Sequence, residues 1–377
     1  MSAAAAPTPG ELPGFDAALA RIAAGADERE RAAVPPFPAD AFALLRDCGA
    51  LAVNATVGPE RPAAAQELRL VRAVAAADGS VGRIFDGHLN AVERLAVHGE
   101  GALRERELAL VAGGRLLAGV WGGEPLPGEG PPAQLMPARA GDAADGIVAR
   151  LRGVRTFCSG AGGLQRALVL AREQDDPAGP PVAAWVDLTR PGEVEVDERW
   201  FRGAGMRASV SHRVVFHDTA VLARFGGPGE LALQPWFGRD ALRTAASWAG
   251  IADTAAVAAL EQLAARTRRG ELEALAAGQL LAARQTIELW VDAAAAAMER
   301  GAPDELARLS ALGRHAIAAA ARELLEVAAR ACGSRPFASG GALDRARRDL
   351  ELFLLQHRLD PIVARAGAVA LDTLETL

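Results

Sequence analysis

The chain has 377 residues, half of them apolar, and a formal net charge of −6, which gives it the size of two or three domains with a large core. The acidic balance excludes a broad basic face for nucleic acid. No apolar run reaches membrane-spanning length and no basic-then-apolar leader opens the sequence, so the expectation is a cytoplasmic protein with no membrane partner. The cysteines Cys48, Cys158 and Cys332 lack metal or disulfide spacing and read as small buried apolar residues, and no metal site is expected.

In chain order, residues 1–12 read as a disordered tail. Residues 13–108 read as an α-helical domain. Apolar positions recur at helical spacing from Phe15 to Ala24, and Pro35-Pro-Phe-Pro38 then interrupts. Ala39–Cys48 resumes as a helix that Gly49 ends, and Ala63–Ala77 and Val81–Val97 follow on either side of an Asp78-Gly-Ser80 turn.

Residues 109–223 change pattern. Short apolar runs at Ala109–Ala112, Leu116–Trp121, Ala167–Ala171, Val182–Val186 and Arg213–Phe216 alternate with Gly, Pro and Asp clusters. This predicts an antiparallel barrel or sandwich. Three Gly-rich stretches in this region, Gly119–Pro125, Arg152–Gly163 and Trp200–Ser211, read as β-like and suggest a ligand cradle.

Residues 224–377 return to helix. Arg243–Arg266, Glu271–Arg300, Pro303–Cys332 and Leu343–Leu359 are long and Ala-rich, which predicts an up-and-down bundle or an oligomer packed through it. Neither GxGxxG nor GxxxxGK[ST] occurs, so a Rossmann or P-loop nucleotide site is not indicated.

This order of blocks resembles the acyl-CoA dehydrogenase superfamily over nearly the whole chain. Four segments carry the resemblance. Val120-Trp-Gly-Gly-Glu-Pro125 stands where the family has an apolar pair followed by Thr-Glu-Pro. Phe157-Cys-Ser159 is similar to its Trp-Ile-Thr/Ser. Gly205-Met-Arg207 is similar to its Gly-Met-Arg strand. Cys332-Gly333 followed by Arg347-Arg-Asp349 resembles its Gly-Gly loop and later Arg-Asp. The resemblance implies an N-terminal α-helical domain, a central β-barrel, a C-terminal four-helix bundle, a homotetramer, bound FAD and an electron-transfer protein as partner. An isoalloxazine ring needs an apolar wall, close backbone and a hydroxyl near its reactive nitrogen. The implied cofactor residues are Trp121 or Phe157 for the wall, Gly123 and Gly333, and Ser159 for the hydroxyl, with a locally satisfied turn serine as its alternative.

The sequence also departs from the family. The dehydrogenases take a proton alpha to a thioester carbonyl with a glutamate, and eight residues beyond Asp349 this chain has His357 instead. Some members place the base at the start of the bundle, where Asp240 falls here; its alternative is an N-terminal helix charge. A histidine at 357 points to a sister group of the same fold, monooxygenases that take reduced flavin from a separate reductase and carry oxygen as a C4a-(hydro)peroxide. The matching constellation is His88, Ser159 and His357, since imidazole gives and takes protons near neutrality. The alternatives are a hydrogen-bonded helix histidine at 88, and a carbonyl cap or Asp360 pair at 357. The family's phosphate-binding Arg…Phe-Gly loop is shortened to Arg266–Gly270, which leaves FMN as an alternative to FAD, with Arg268 or Arg269 toward a phosphate. Three functions follow. One is a dehydrogenase acting on the CH–CH group of an acyl-CoA thioester. The second is a two-component monooxygenase, and the third a non-catalytic flavin-fold protein.

Overall fold

The computed structural model describes residues 12–55, 63–356 and 358–375. Three- and four-residue apolar spacing at both ends of the chain gives helices, and the Gly-rich middle gives one closed sheet. The N-terminal helices are α1 (Phe15–Arg31), α2 (Ala39–Asp47), α3 (Ala64–Ala77), α4 (Gly79–His98) and α5 (Gly101–Ala112). Asp78 starts α4 by accepting from the Val81 N–H at 3.1 Å. Apart from Arg83, every residue of α4 from Gly79 to Ala96 is buried, so this helix runs through the interior with polar side chains that need partners there.

Ala109–Ala112, expected as a strand, is instead the last turn of α5. Glu107 and Val111 are one turn apart and both buried, and Glu107 accepts from Arg166 at 2.8 Å and from the Trp185 indole at 3.1 Å. Four apolar residues have no period of their own, and the helical face they continue decides their conformation.

Seven strands follow: β1 (Ala118–Trp121), β2 (Gln134–Met136), β3 (Ala149–Cys158), β4 (Arg166–Glu173), β5 (Val182–Asp187), β6 (Val194–Asp197) and β7 (His212–Phe225). The ring β4–β2–β3–β7–β5 closes back on β4 as a small barrel, and β6 adds to β7. The barrel is not wholly antiparallel. β1 and β2 share one edge of β4, both parallel to it, because the chain makes a long Gly/Pro-rich excursion between them instead of a hairpin. All six residues of β5 are buried. Val182, Ala184 and Val186 face the main core with the barrel interior, while Ala183 and Trp185 pack outward with Val92 and Leu95 of α4.

Trp200–Ser211, expected as β-like, is a loop closed by a 3-10 turn at Arg207–Ser209, with Met206 and Val210 in the left-handed region at φ 54° and 42°. Its contact with the C-terminal helices explains the change: Asp349 accepts the Met206 N–H at 2.5 Å, which takes that donor away from any strand ladder.

The C-terminal helices are α6 (Trp236–Ala264), α7 (Glu271–Arg300), α8 (Pro303–Cys332), α9 (Arg335–Ser339), α10 (Ala342–Phe353) and α11 (Asp360–Glu375). α6 begins seven residues before the expected Arg243, and the helix expected over Leu343–Leu359 ends at Phe353. α6 packs on α3, α7, α8 and α10, and small residues let it approach closely: a Cβ on Gly250 would meet the Arg72 carbonyl of α3. The architecture is an N-terminal helical block, a central β-barrel and a C-terminal helical bundle. No helix among the described residues is long and apolar enough to cross a membrane.

Candidate functional site

A cavity of about 620 Å³ lies where the barrel rim meets α4, α6 and the end of α10. On the barrel side it is lined by Val120, Gly122, Gly123, Phe157 and Ser159. Gly123 bridges to Thr156 of β3, and a Cβ there would lie 2.2 Å from the Thr156 carbonyl oxygen. Only glycine therefore lets the end of β1 sit this close to β3. Phe157 has φ 52° and is 58% exposed, with its ring edge-on to Trp200 at 4.9 Å. An exposed, braced aromatic ring with a left-handed backbone is a candidate ligand wall.

Ser159 is 8% exposed, and its hydroxyl lies 2.9 Å from that of Ser211, which lies 2.8 Å from that of Ser209. All three serines line the cavity. Of the three, Ser159 alone was expected at the site. The available signal for the other two was their alternation, Ser209-Val-Ser211, just before β7.

The helical wall holds Arg83, Asn90, Asp240 and Thr244. Asp240 accepts from Arg94 Nη2 at 2.6 Å and from Arg243 Nη1 at 3.3 Å. Burial pushes its carboxyl up to about 6 against the pull of Arg94 and Arg243. Arg243, fully buried, also meets Glu67, Glu93 at 2.7 Å and Asn90 at 3.0 Å. Arg239 completes this layer with Glu93 at 2.7 Å and Glu67 at 3.3 Å. Arg83 pairs with the buried Asp86, whose carboxyl burial also pushes up and which accepts from Ser247 at 2.8 Å.

His88 lies outside the cavity lining. Its Nδ1 accepts the Ala118 N–H at 3.2 Å and its Nε2 donates to the Leu51 carbonyl at 2.9 Å, so both ring nitrogens are committed. Burial holds the ring neutral, with its pKa lowered to about 4. Expected beside the reacting group, this ring instead clamps α4 to β1 and to the turn after α2. Trp121 is also away from the cavity. It is 1% exposed in the core, tilted against Phe216 at 6.4 Å, and its indole donates to the Ser159 carbonyl at 2.9 Å, so it supports the wall from behind.

Gly333, at φ 72°, ends α8 and does not line the cavity. Arg269 is exposed beyond the far end of α6, while Asp240 is in its first turns; the helix between them spans roughly 35 Å at 1.5 Å per residue. Arg269 therefore cannot meet the cavity of its own chain. His357 lies outside the described residues and directly follows Gln356, which lines the cavity. Among the described residues no cluster of His, Cys, Asp and Glu could hold a metal ion.

The helical block, barrel and bundle, with a cavity between them, define the acyl-CoA dehydrogenase fold. Solved structures of that fold superpose along nearly the full length. Butyryl-CoA dehydrogenase from Megasphaera elsdenii matches with a TM-score of 0.81 at 17% identity, covering 95% of this chain and 96% of its own. FMN-bound TdsC from Paenibacillus sp. A11-2, a dibenzothiophene monooxygenase, matches with a TM-score of 0.78 at 20% identity, covering 96% and 97%. KijD3 in complex with FMN and a dTDP-linked amino-keto sugar matches with a TM-score of 0.78 at 23% identity, covering 95% and 93%. No protein-family model and no curated protein matches the sequence.

Proposed function

We propose that this chain is a flavin-dependent oxidoreductase working as the oxygenase component of a two-component monooxygenase, with FMN as its flavin and FAD as the alternative. One observation carries the choice over a dehydrogenase. Asp240 is the only carboxylate among the described cavity-lining residues, and Arg94 and Arg243 both hold it. Taking a proton from carbon would neutralise this carboxylate and forfeit its charge pairing with Arg94 and Arg243, which opposes that use.

The residues present fit a flavin. Phe157 supplies a flat apolar wall, Gly122 and Gly123 leave room for close backbone, and Ser159 presents a hydroxyl. Reduced flavin bound there supplies the two electrons for oxygen activation. Ser211 and Ser209 fix the rotamer of Ser159, so that its O–H can donate into the cavity. His357, next in sequence to Gln356, is the proposed proton-bearing side chain. The apolar remainder, with Leu352 and Phe353 of α10, excludes water. Exposed leucines on α7 (Leu272, Leu275 and Leu289) support a homotetramer packed through the bundle, and the mechanism requires a flavin reductase as partner.

A second reading keeps the dehydrogenase, because a cavity carboxyl lifted to about 6 is a usable base near neutral pH. The test is spectroscopic. Purified protein mixed anaerobically with flavin and a panel of acyl-CoA thioesters should keep its flavin absorbance. With a flavin reductase, NADH and oxygen, it should form oxygenated product from an aromatic substrate, and His357→Ala should divert oxygen to hydrogen peroxide. Anaerobic bleaching by any acyl-CoA that Asp240→Asn abolishes would overturn the oxygenase reading.

A further inference from the structure

We propose that Asn90 and Asp240 form a specificity-determining pair that selects a neutral substrate with a hydrogen-bond acceptor beside an N–H or O–H donor, and that Arg243 is the positioning residue behind both. The inference rests on reading the cavity as the flavin and substrate site and goes beyond it by naming the polar pattern of the substrate.

Nη1 of Arg243 donates to Asn90 Oδ1 at 3.0 Å and to Asp240 Oδ1 at 3.3 Å, so the two cavity-lining side chains are neighbours fixed to the same buried group. A guanidinium has only donors, so the amide atom turned toward it must be oxygen. The Nδ2 of Asn90 is therefore the end left over. It has no acceptor among the described residues, although Asn90 is only 6% exposed. An amide donor without a protein partner on the wall of this cavity calls for a ligand acceptor.

Asp240 offers the complement. Arg94 and Arg243 each occupy one carboxylate oxygen, and the side chain stays 19% exposed, so lone pairs remain on the cavity side. Thr244, one turn on, spends its hydroxyl on the Asp240 carbonyl at 3.3 Å and adds no competing donor. The cavity thus presents a donor next to an acceptor on a rigid two-helix frame.

Charge selects between a neutral and a cationic partner. Arg94, Arg239 and Arg243 are balanced by Glu67, Glu93 and Asp240, so the layer is neutral as it stands. A cationic ligand would add an uncompensated buried charge, whereas a primary amide, lactam or similar neutral group satisfies both atoms. A site built this way discriminates strongly against analogues that leave its polar atoms unpaired.

The test uses FMN-loaded protein and three probes of similar shape: benzamide (acceptor and donor), acetophenone (acceptor only) and cumene (neither). Isothermal titration should show benzamide binding at least tenfold tighter than acetophenone, and acetophenone tighter than cumene. Asn90→Asp keeps a partner for Arg243 but replaces the donor by an acceptor, and should reduce the benzamide-to-cumene ratio at least tenfold. Asn90→Leu, of similar size, should do the same. A wild-type benzamide preference below tenfold, failure of benzamide to bind, or a ratio that both variants leave in place overturns the pair. FMN binding is measured separately by quenching of FMN fluorescence. A protein that binds no FMN sinks the reading of the cavity, while one that binds FMN without discriminating the probes sinks this inference alone.

Discussion

Replacing His88 by leucine separates a structural ring from a catalytic one. The wild-type ring is fully buried and joins the Ala118 N–H to the Leu51 carbonyl. His88→Leu keeps most of the volume and leaves two buried backbone groups without partners. At roughly 1–3 kcal/mol for each of the two orphaned groups, the variant should lose about 2–6 kcal/mol at pH 7. The pH dependence is the sharper signature. The native ring's pKa is lowered to about 4 from an ordinary value near 6.5, so the unfolded chain takes up a proton that the folded one refuses. The wild type therefore loses stability from this group as the pH falls through 6.5 toward 4, by roughly 1.4 kcal/mol per pH unit. Leucine carries no proton in either state, so by pH 4.5 the deficit of the variant should shrink by about 2.5 kcal/mol. Urea unfolding followed by tryptophan fluorescence at the two pH values gives both numbers. A deficit below 1 kcal/mol at pH 7, or one that does not change with pH, would refute the neutral-clamp assignment.

Two further substitutions test other parts of the structure. Gly123→Ala drives a methyl group into the Thr156 carbonyl of β3 and should cost about 1–3 kcal/mol in thermal unfolding, with at least tenfold weaker FMN binding; unchanged values for both would show that the β1–β3 contact can yield. Arg314 of α8 is 1% exposed, donates from Nε to the Ser310 carbonyl at 2.6 Å, and leaves Nη1 without a partner, and burial alone lowers its pKa to about 10. Its charged form is therefore held at a cost at every pH below about 10, and Arg314→Met should raise stability by about 1–3 kcal/mol in urea at pH 7, a loss of stability refuting this.

The sequence by itself determined the broad architecture, because helical period and glycine-rich punctuation are local properties. α7 and α8 fall on the stretches their breakers delimit, Gly301-Ala-Pro303 and Gly333. Ser159 and Asp240 were legible as candidates because short motifs and chain order mark them, and both line the cavity. Their chemistry was not legible. The guanidinium partners of Asp240 come from α4 and from its own helix, and the layer behind them reaches Glu67 on α3, so which of them meet depends on how three buried helices cross. The same holds for His88. Its sequence neighbourhood suits a catalytic imidazole equally well, and only the arrival of Ala118 and Leu51 from distant segments commits its two nitrogens. Asn90 escaped notice because a lone amide on an almost wholly buried helix carries no periodic signal, and its orientation is set by Arg243, 153 residues later in the chain. Tertiary structure decided these roles because hydrogen-bond commitment is a property of spatial neighbours, which a local pattern does not encode.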